Sequence, residues 1–473
     1  MTNHQFSIAF ALSLGGLSLP AQQLKAETTE QNMNVVFLLI DDIRWNSIGY
    51  MGNDFVITPN IDKLAEEGVL FENCYVTTSI SCVSRATILT GQYMSRHNVE
   101  GFSTSLTEEQ VQNSYPEVLR QGGYWAGIVG KHGVGSPQKA TKDYDFNAIT
   151  QGSHWISVKT KVEENGVEQI KKDSIHVTQH NINGAMKFLD EAPKDRPFVL
   201  SVGFFAPHAQ DKHPDQYRPQ LSSMGYYQNV EIPTPVSADD KYLALLPEFL
   251  QESQNFGRDR WFKRFTTPES YQTTMKNYFR LITEVDLAVG EIVDRLKAEG
   301  LYENTLIIVA GDNGYFHSEH QLADKWYPYN EALRVPLIIR DPRIKSRDRG
   351  ERLDQMVLNI DIAPTILGAT GHQIPSVMQG EDLSTIYIDG KKSLRKEFFY
   401  EHPIINDLES IPDSYALVGE RYKYILWPSH NVEEYFDLKK DPYELNNLID
   451  NPAYQKQIER ARVRFRELAE EAK

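Results

Sequence analysis

Short apolar runs separated by segments with helical periodicity are the feature of this sequence that most restricts its fold. The apolar runs are NVVFLLI (34–40), WAGIVG (125–130), FVLSVGFF (198–205) and TLIIVAG (305–311). Such runs are typical of strands that are buried on both faces of a parallel sheet. Helical spacing occurs at 60–71, where Gly68 is a stop signal, and at 278–300. This alternation predicts an α/β fold with a large, mostly parallel central sheet flanked by helices.

The pattern of the sequence changes at about residue 395. Segments within 396–438 have the pattern of short antiparallel strands, and 452–472 has that of a charged amphipathic helix. We therefore predict a large domain over 34–395 and a small α+β subdomain with an antiparallel sheet over 396–473. The stretch 209–270 lacks clean periodicity, and we expect it to cross the edge of the sheet and to carry specificity.

The start of the chain has the pattern of an export signal. Residues 8–19 are apolar and are followed by Pro20 and a polar stretch that ends at Ala26. We interpret 1–26 as a signal peptide, although no Lys or Arg precedes the apolar run. No other segment approaches the roughly 18 uninterrupted apolar residues of a membrane helix. The expected location is therefore periplasmic or secreted, without stable membrane insertion.

The charge of the chain excludes one class of partner. There are 49 Lys and Arg residues against 65 Asp and Glu residues, which gives a formal net charge of −16. Nucleic-acid binding needs a positive surface, so we expect no nucleic-acid partner. A polyanionic substrate would have to be held by a local basic pocket.

Carboxylates follow the first and the last of the apolar runs. Together these two strand ends supply three carboxylates and one amide: Asp41, Asp42, Asp312 and Asn313. Ligands of α/β folds bind at the carboxyl ends of parallel strands, so we expect these side chains at one edge of the sheet. Oxygen ligands of this kind suit Ca²⁺ or Mg²⁺ better than Zn²⁺. Taken alone, an adjacent aspartate pair is also compatible with a helix cap or a loop.

A second cluster is the run S-C-V-S-R-A-T-I-L-T-G at 81–91. Residues 84–90 are predicted as a helix that ends at Gly91, which places Ser81 at the helix N-terminus. Free backbone N–H groups and the helix dipole favour an anion there. By itself this run is compatible with a simple helix cap, but beside the acidic strand ends it indicates an active site.

Several short motifs follow one another along residues 34–450. They are Asp41-Asp42, the S-x-x-S-R run at 81–91, Gly130-Lys131, Ala206-Pro207-His208, Asp312-Asn313-Gly314, R-V-P-L at 334–337 and the run from Tyr435 to Leu448. In this order they resemble the formylglycine-dependent sulfatases of the alkaline-phosphatase superfamily. Within that family the chain is similar to secreted bacterial polysaccharide sulfatases, and most closely to carrageenan sulfatases.

The resemblance implies a sulfuric ester hydrolase that acts on a sulfated polysaccharide or oligosaccharide. Its nucleophile would be a formylglycine, made from residue 81 by a formylglycine-generating maturation enzyme. It also implies one Ca²⁺ per chain, with five ligand residues: Asp41, Asp42, Ser81, Asp312 and Asn313.

The resemblance further assigns roles around the sulfate. Arg85 would hold the reactive diol, and Lys131 and Lys325 would bind the sulfate oxygens. His208 would protonate the departing alcohol. Three other histidines are weaker candidates, His132 for catalysis and His317 and His320 for substrate contact, since isolated histidines are often structural.

The chain departs from the family pattern at two places. The family normally has Cys at position 81 and Pro or Ala at position 83, whereas this chain has Ser81 and Val83. Cys82 is one residue out of register with the following Ser-Arg pair. Ser81 is thus either the serine of a Ser-type enzyme that is matured before export or an engineered replacement for cysteine that traps substrate, and Val83 favours the second. The second departure is Gly133, which stands where many relatives have a histidine.

Two rival functions and one surface motif stay open at this point. One rival is a phosphoesterase of the same superfamily with two Zn²⁺ ions, and the other is a sulfated-glycan-binding pseudoenzyme in which Ser81 is native. The Asp312-Asn313 pair disfavours the first, because a two-zinc site needs histidine ligands there. The basic and aromatic run at 258–264 is compatible with a binding site for an anionic sugar chain and equally with an ordinary helix surface.

Overall fold

The computed structural model describes residue 1 and residues 33–136, 142–150, 152–164 and 167–473, without the side chains of 158–173. The apolar run at 8–19 lies outside these residues. Within the described part of the chain, none of the helices has the length and apolar character needed to cross a membrane.

The strands are β1 Asn34–Ile40, β2 Val69–Tyr75, β3 Trp125–Lys131, β4 Phe146–Thr150, β5 Trp155–Glu164, β6 Val167–His176, β7 Phe198–Phe204, β8 Thr305–Gly311, β9 Phe316–His317, β10 Ala323–Asp324, β11 Arg334–Arg340, β12 Glu351–Leu358, β13 Glu397–His402, β14 Ser414–Gly419, β15 Tyr422–Trp427 and β16 Val432–Asp437.

The α-helices are α1 Pro59–Glu67, α2 Ser81–Thr90, α3 Met94–His97, α4 Glu108–Gln112, α5 Tyr115–Gln121, α6 Val177–Glu191, α7 Asp240–Leu243, α8 Glu248–Gln251, α9 Phe256–Arg264, α10 Pro268–Ala298, α11 Asn330–Leu333, α12 Ile362–Ala369, α13 Ser384–Tyr387 and α14 Gln455–Glu471. Short 3₁₀ turns lie at Gly49–Met51, Leu221–Ser223, Tyr302–Asn304, Glu319–Gln321, Ser346–Asp348, Asn359–Asp361, Pro428–His430 and Pro452–Tyr454.

The main sheet has eight strands in the order β12-β2-β11-β8-β1-β7-β3-β4. Strand β1 pairs in parallel with both β7 and β8, and β3 pairs in parallel with β7 and β4. Strand β11 is antiparallel to both of its neighbours. The predicted α/β fold with a mostly parallel central sheet is therefore confirmed.

Strand β1 shows why the apolar runs became the centre of the molecule. All seven of its side chains are buried. Val36, Leu38 and Ile40 pack in one apolar cluster with α6 and α10. The alternate residues pack in a second cluster with helices α2, α5 and α12. A continuous apolar run is needed because helices cover both faces of the strand.

Several element boundaries differ from those the sequence predicts, among them the start of α2, which lies at Ser81 and not at residue 84. Helix α1 ends at Glu67 and β2 begins at Val69, so residues 69–71 belong to a strand. A Cβ at position 68 would lie 2.3 Å from the Ile339 carbonyl oxygen, so only glycine fits between the helix and the strand. Helix α10 begins ten residues earlier than predicted, at Pro268, where the Thr267 hydroxyl accepts a hydrogen bond from the Ser270 N–H.

The C-terminal part contains the second sheet. Strands β13 to β16 pair antiparallel in sequence order. Helix α14 covers one face of this sheet, where Ile458 and Phe465 pack against Phe399 and Tyr424. The predicted small antiparallel sheet with a terminal amphipathic helix is thereby confirmed.

Candidate active site

The parallel pairing of β1 with β8 brings the acidic strand ends together. Ile40 lies opposite Gly311 in this register, so the residues that follow them leave the sheet at the same edge. The four predicted ligands at these strand ends are fully buried: Asp41, Asp42, Asp312 and Asn313. The Asp42 N–H donates to Asp312 Oδ1 at 3.1 Å, and Asn313 Nδ2 donates to Asp42 Oδ1 at 2.8 Å. Asn313 Nδ2 also donates to the Gly314 carbonyl oxygen, and Asn313 Oδ1 lies on the side of the Ser81 hydroxyl.

Ser81 is the first residue of α2 and faces this carboxylate group. Its hydroxyl donates to Asp41 Oδ1 at 3.0 Å and lies 3.4 Å from Asn313 Oδ1. The neighbouring Cys82 and Val83 are buried in an apolar cluster on the other side of the helix. Burial raises the pKa of the Cys82 thiol to about 11, so it is protonated and unreactive. Position 81, and not position 82, therefore faces the site.

Arg85 follows Ser81 by one helical turn and lies on the same face of α2. Its Nε donates to Asp312 Oδ2 at 2.8 Å, and its Nη1 donates to the Lys131 carbonyl oxygen at 2.6 Å. Gly133 has a φ of +81°, and a Cβ there would lie 2.6 Å from Arg85 Cδ. The glycine at position 133 is thus required by both the backbone conformation and the path of the arginine.

Three further side chains complete the site. Lys131 Nζ contacts Asp41, and Lys325 Nζ contacts Asp42. His208 Nε2 lies 3.5 Å from Asp42 Oδ2. His208 Nδ1 is 2.6 Å from the Ala209 carbonyl oxygen, which can only accept a hydrogen bond, so Nδ1 carries a proton and Nε2 faces the site.

Burial controls the charge of these groups. Burial raises the pKa of Asp42 and of Asp312 to about 6, and the neighbouring Asp41 carboxylate adds to both shifts. Burial also opposes ionisation of Asp41, but Lys131, His208 and Arg85 outweigh it and hold its pKa well below the usual range. Burial, and then Lys325, lower the pKa of His208 to about 4. An anionic sulfate bound beside His208 would favour its protonated form.

The donor set fits a hard divalent cation. Ligand atoms of Asp41, Asp42 and His208 lie within 4.8 Å of one another. Asp42 Oδ2 is buried and has no hydrogen-bond partner among the described residues. The other oxygen donors are the Asp312 carboxylate, the Asn313 amide and the Ser81 hydroxyl, and oxygen-rich sets of this kind suit Ca²⁺ or Mg²⁺. Three carboxylates face three basic side chains here, so a divalent cation would leave the pocket positive.

Three predicted histidines lie outside this group. The His132 ring hydrogen-bonds to Val134 at 3.2 Å and packs edge-on against Tyr144. His320 is 1% exposed and stacks on Tyr329, away from any open surface. His317 packs against Tyr278 with ring centroids 4.6 Å apart. The Tyr278 hydroxyl donates to the Asp42 carbonyl oxygen at 2.8 Å, and no motif in the sequence predicts this contact.

Two arginines of the basic run at 258–264 are buried and hold neighbouring loops, so they neither bind a sugar chain nor form a solvated surface. The Arg264 side chain is 1% exposed and donates to Asp324 Oδ1 at 2.6 Å and to Asp211 Oδ1 at 2.8 Å. Arg258 is also buried and donates to the Gln321 carbonyl oxygen at 2.6 Å. The run therefore ties the loop that carries Lys325 to the loop that follows His208.

His97 contacts the helix that begins at Ser81 through Thr87. Its Nδ1 accepts a hydrogen bond from the Val99 N–H at 3.0 Å, and its Nε2 lies 3.1 Å from the Thr87 hydroxyl. Burial lowers the pKa of His97 to about 3 from its ordinary value of 6.5. The ring is therefore neutral in the folded chain between pH 7 and pH 5.

This burial predicts a pH-dependent stability. Between pH 6.5 and pH 3 the unfolded chain takes up a proton at position 97 and the folded chain does not, so acidification favours unfolding. His97→Gln removes this difference. We expect the stability advantage of the unchanged chain over His97→Gln to shrink by about 2 kcal/mol between pH 7 and pH 5. Urea unfolding at both pH values measures it, and a constant or growing advantage would contradict a neutral His97.

Comparison with known families accounts for most of the chain. A family model described as Sulfatase matches residues 33–372. A second model, described as the C-terminal part of N-sulphoglucosamine sulphohydrolase, matches residues 318–471. An N-acetylglucosamine-6-O-sulfatase of Bacteroides thetaiotaomicron is 27% identical, with 94% of this chain and 88% of that protein covered.

Solved structures share the fold. One was solved in complex with its substrate D-glucosamine-2-N,6-O-disulfate; it has a TM-score of 0.76 and 24% identity, with 93% of this chain and 98% of that chain covered. A phosphonate monoester hydrolase of Agrobacterium radiobacter has a TM-score of 0.75 and 20% identity, with 93% and 96% covered. The fold alone therefore does not separate sulfur from phosphorus chemistry, and the residues of the site have to do so.

Proposed function

The chain belongs to the sulfatase family and is a sulfate ester hydrolase; we propose that it acts on a sulfated carbohydrate through a formylglycine at position 81 and one Ca²⁺. The observation that carries the proposal is the convergence of Lys131, Lys325 and His208 on the carboxylates that surround the Ser81 hydroxyl. A sulfate ester needs both features, cations for its oxygens and an acid for its leaving alcohol.

The substrate that we propose is a sulfated oligosaccharide of the glycosaminoglycan type. The relative from B. thetaiotaomicron acts on N-acetylglucosamine 6-sulfate groups by its name, and one structural neighbour holds a sulfated glucosamine. The basic side chains Lys131 and Lys325 lie inside the pocket, while the protein as a whole has a charge of −16, so an anionic oligosaccharide would be held at the pocket. The similarity to carrageenan sulfatases remains a prediction.

The residues of the site divide the reaction between them. Lys131 and Lys325 bind the sulfate oxygens and balance the charge that grows on them. Arg85 holds the Asp312 carboxylate through its Nε and would hold the diol formed at residue 81, one helical turn away. When a bound sulfate favours the protonated ring, His208 carries its second proton at Nε2 and delivers it to the departing sugar oxygen. A bound Ca²⁺ would supply positive charge beside sulfur, and formylglycine would supply two hydroxyl groups, one for attack and one for expulsion of sulfate.

A serine at position 81 also favours a second candidate function, that of a sulfated-glycan-binding protein without turnover. Serine has one hydroxyl group, so an unoxidised Ser81 could accept sulfate once and then could not expel it. The lysines, Arg85 and the cation site are present in either case. Binding without turnover is therefore the expected behaviour of the chain when Ser81 stays unoxidised.

This gives the test of the proposed site. The Ser81 chain, from a host that does not oxidise it, should bind a sulfated heparin-type disaccharide in calorimetry and release no repeated sulfate. Lys131→Ala and Lys325→Ala should each weaken binding by about tenfold to 100-fold, the usual worth of a hydrogen bond to a charged group. Lys187→Ala is the control, because Lys187 is exposed on α6. Equal binding by all three variants would contradict the assignment.

The cation site has its own test. We expect Ca²⁺ to raise the melting temperature of the chain, because a ligand present at 100 times its Kd stabilises by about 2.7 kcal/mol. Asp312→Ala should abolish this gain and lower the basal stability, since it leaves Arg85 without its buried partner. Asp341→Ala is the control, a buried carboxylate paired with Arg343. A melting temperature insensitive to chelator in the unchanged chain would contradict the cation site.

A further inference from the structure

A second cleft opens beside the active site and has a volume of about 630 Å³. We call it the side cleft, and it is lined by the loop 44–55, the segment 232–237, Tyr271, Met275, Phe279, His317, Glu319, Glu331, Arg334 and Tyr443, among others. Ser81, Lys131, His208 and Lys325 do not line it. Its volume falls within the roughly 300–1,000 Å³ that is common for small-molecule sites.

Buried polar atoms of the side cleft lack partners. Ser237 Oγ, His317 Nε2 and Glu331 Oε2 have no hydrogen-bond partner among the described residues. These side chains are only 0%, 4% and 5% exposed, respectively. Buried polar groups are nearly always hydrogen-bonded, and an unsatisfied one costs about 1–3 kcal/mol. Three such groups on one cleft indicate a ligand that offers several hydrogen-bonding groups.

The charges of the side cleft disfavour an anionic ligand. Arg44 donates to Glu319 and to Asn46, at 2.5 Å and 2.6 Å. Arg334 donates through Nε and Nη2 to the Glu72 carbonyl oxygen. Both guanidinium groups also stack on Trp45, 5.1 Å and 5.2 Å from its ring. Asp54, Glu319 and Glu331 also line the cleft, so its two arginines face three carboxylates and offer no net positive charge to a sulfate or phosphate.

The rim of the side cleft offers apolar contact area. Phe55, Val236 and Tyr443 are 38%, 61% and 44% exposed. The aromatic rings of Tyr271 and Phe279 line the interior. A sugar ring combines hydroxyl groups with apolar C–H faces, so it matches both the unpartnered polar atoms and these apolar surfaces. We propose that the side cleft binds an uncharged sugar residue.

The position of the side cleft connects this proposal to the active site. His317 lines the cleft and packs on Tyr278, whose hydroxyl bonds to the Asp42 backbone. One layer of side chains thus separates the cleft from the carboxylates. The segment 232–237 belongs to the 209–270 stretch, which the sequence predicts to carry specificity. The sugar in the cleft is either an unsulfated unit of the same substrate chain or part of a separate neutral glycan.

Calorimetry with two neutral probes, chitotetraose and neoagarotetraose, tests the proposal on the full chain. We expect one of them to bind in excess inorganic sulfate, and Tyr443→Ala and Ser237→Ala each to weaken this binding by about tenfold, which corresponds to about 1.4 kcal/mol. Phe102→Ala is the control, because Phe102 is 57% exposed and does not line the cleft. Lys325→Ala should leave neutral-sugar binding unchanged, so failure of the sulfatase proposal is distinguishable from failure of this one.

Three results would overturn the proposal: no binding of either probe, displacement of the probe by sulfate, or binding that Tyr443→Ala and Ser237→Ala leave unchanged. Calorimetry with a sulfated oligosaccharide then shows whether the sugar in the cleft belongs to the substrate chain or to a separate glycan. If Tyr443→Ala weakens its binding as well, one chain occupies both sites. If Tyr443→Ala weakens only the neutral probe, the cleft holds a separate glycan.

Discussion

His208→Ala should slow the hydrolysis of sugar sulfates by about 10²–10⁴-fold in a chain that carries formylglycine, the usual contribution of a general acid. A sugar alkoxide is a poor leaving group and needs a proton as the bond to sulfur breaks. An aryl sulfate with an acidic phenol needs little protonation, so its rate should fall far less. The reason lies in the geometry, because His208 Nε2 faces the site while Nδ1 is held by the Ala209 carbonyl oxygen.

The measurement compares kcat/KM for a sulfated oligosaccharide and for 4-nitrocatechol sulfate in the two chains. His372→Ala is the matched control, since His372 is partly buried at the opposite edge of the sheet, against Tyr124 before β3. Equal losses on both substrates would assign His208 a role in binding. No loss on either would remove it from the active site.

Much of the fold and of the site could be predicted because the relevant signals are local. Strands β1, β3, β7 and β8 lie within one residue of the apolar runs, since a strand buried on both faces permits few polar residues. The carboxylates could be placed together from the rule that parallel strands end at one edge. The antiparallel direction of β11 carried no local signal, because its apolar residues fit either direction.

The remaining features depend on contacts between distant segments. Arg264 is buried because Asp211 and Asp324 converge on it, and the run at 258–264 alone does not disclose those partners. The side cleft likewise combines six separate stretches of the chain. The early start of α10 follows from burial of Tyr271 and Met275 against the 209–270 stretch, which sequence periodicity does not report.

The second large effect concerns Ser81→Cys. In a host that carries a formylglycine-generating enzyme, this change should convert a chain without repeated turnover into one that releases sulfate continuously. The structure supports the choice of position, because residue 81 faces the carboxylates while the Cys82 thiol is buried in the apolar core. Val83 departs from the usual maturation signal, so we expect only part of the chains to be oxidised at position 81. The rate of sulfate release should then be proportional to the oxidised fraction. Cys82→Ser in the same host is the control and should leave the chain without turnover.

The most direct test of the account joins two readings on the Ser81→Cys chain: inorganic sulfate released from the oligosaccharide, and the mass of the peptide that contains residue 81. We predict many sulfates per chain, together with a peptide lighter than the cysteine form by about 18 Da, the change from a thiol to an aldehyde. Full turnover with an unmodified cysteine would contradict the formylglycine mechanism. A modified peptide without any sulfate release would contradict the sulfatase function itself.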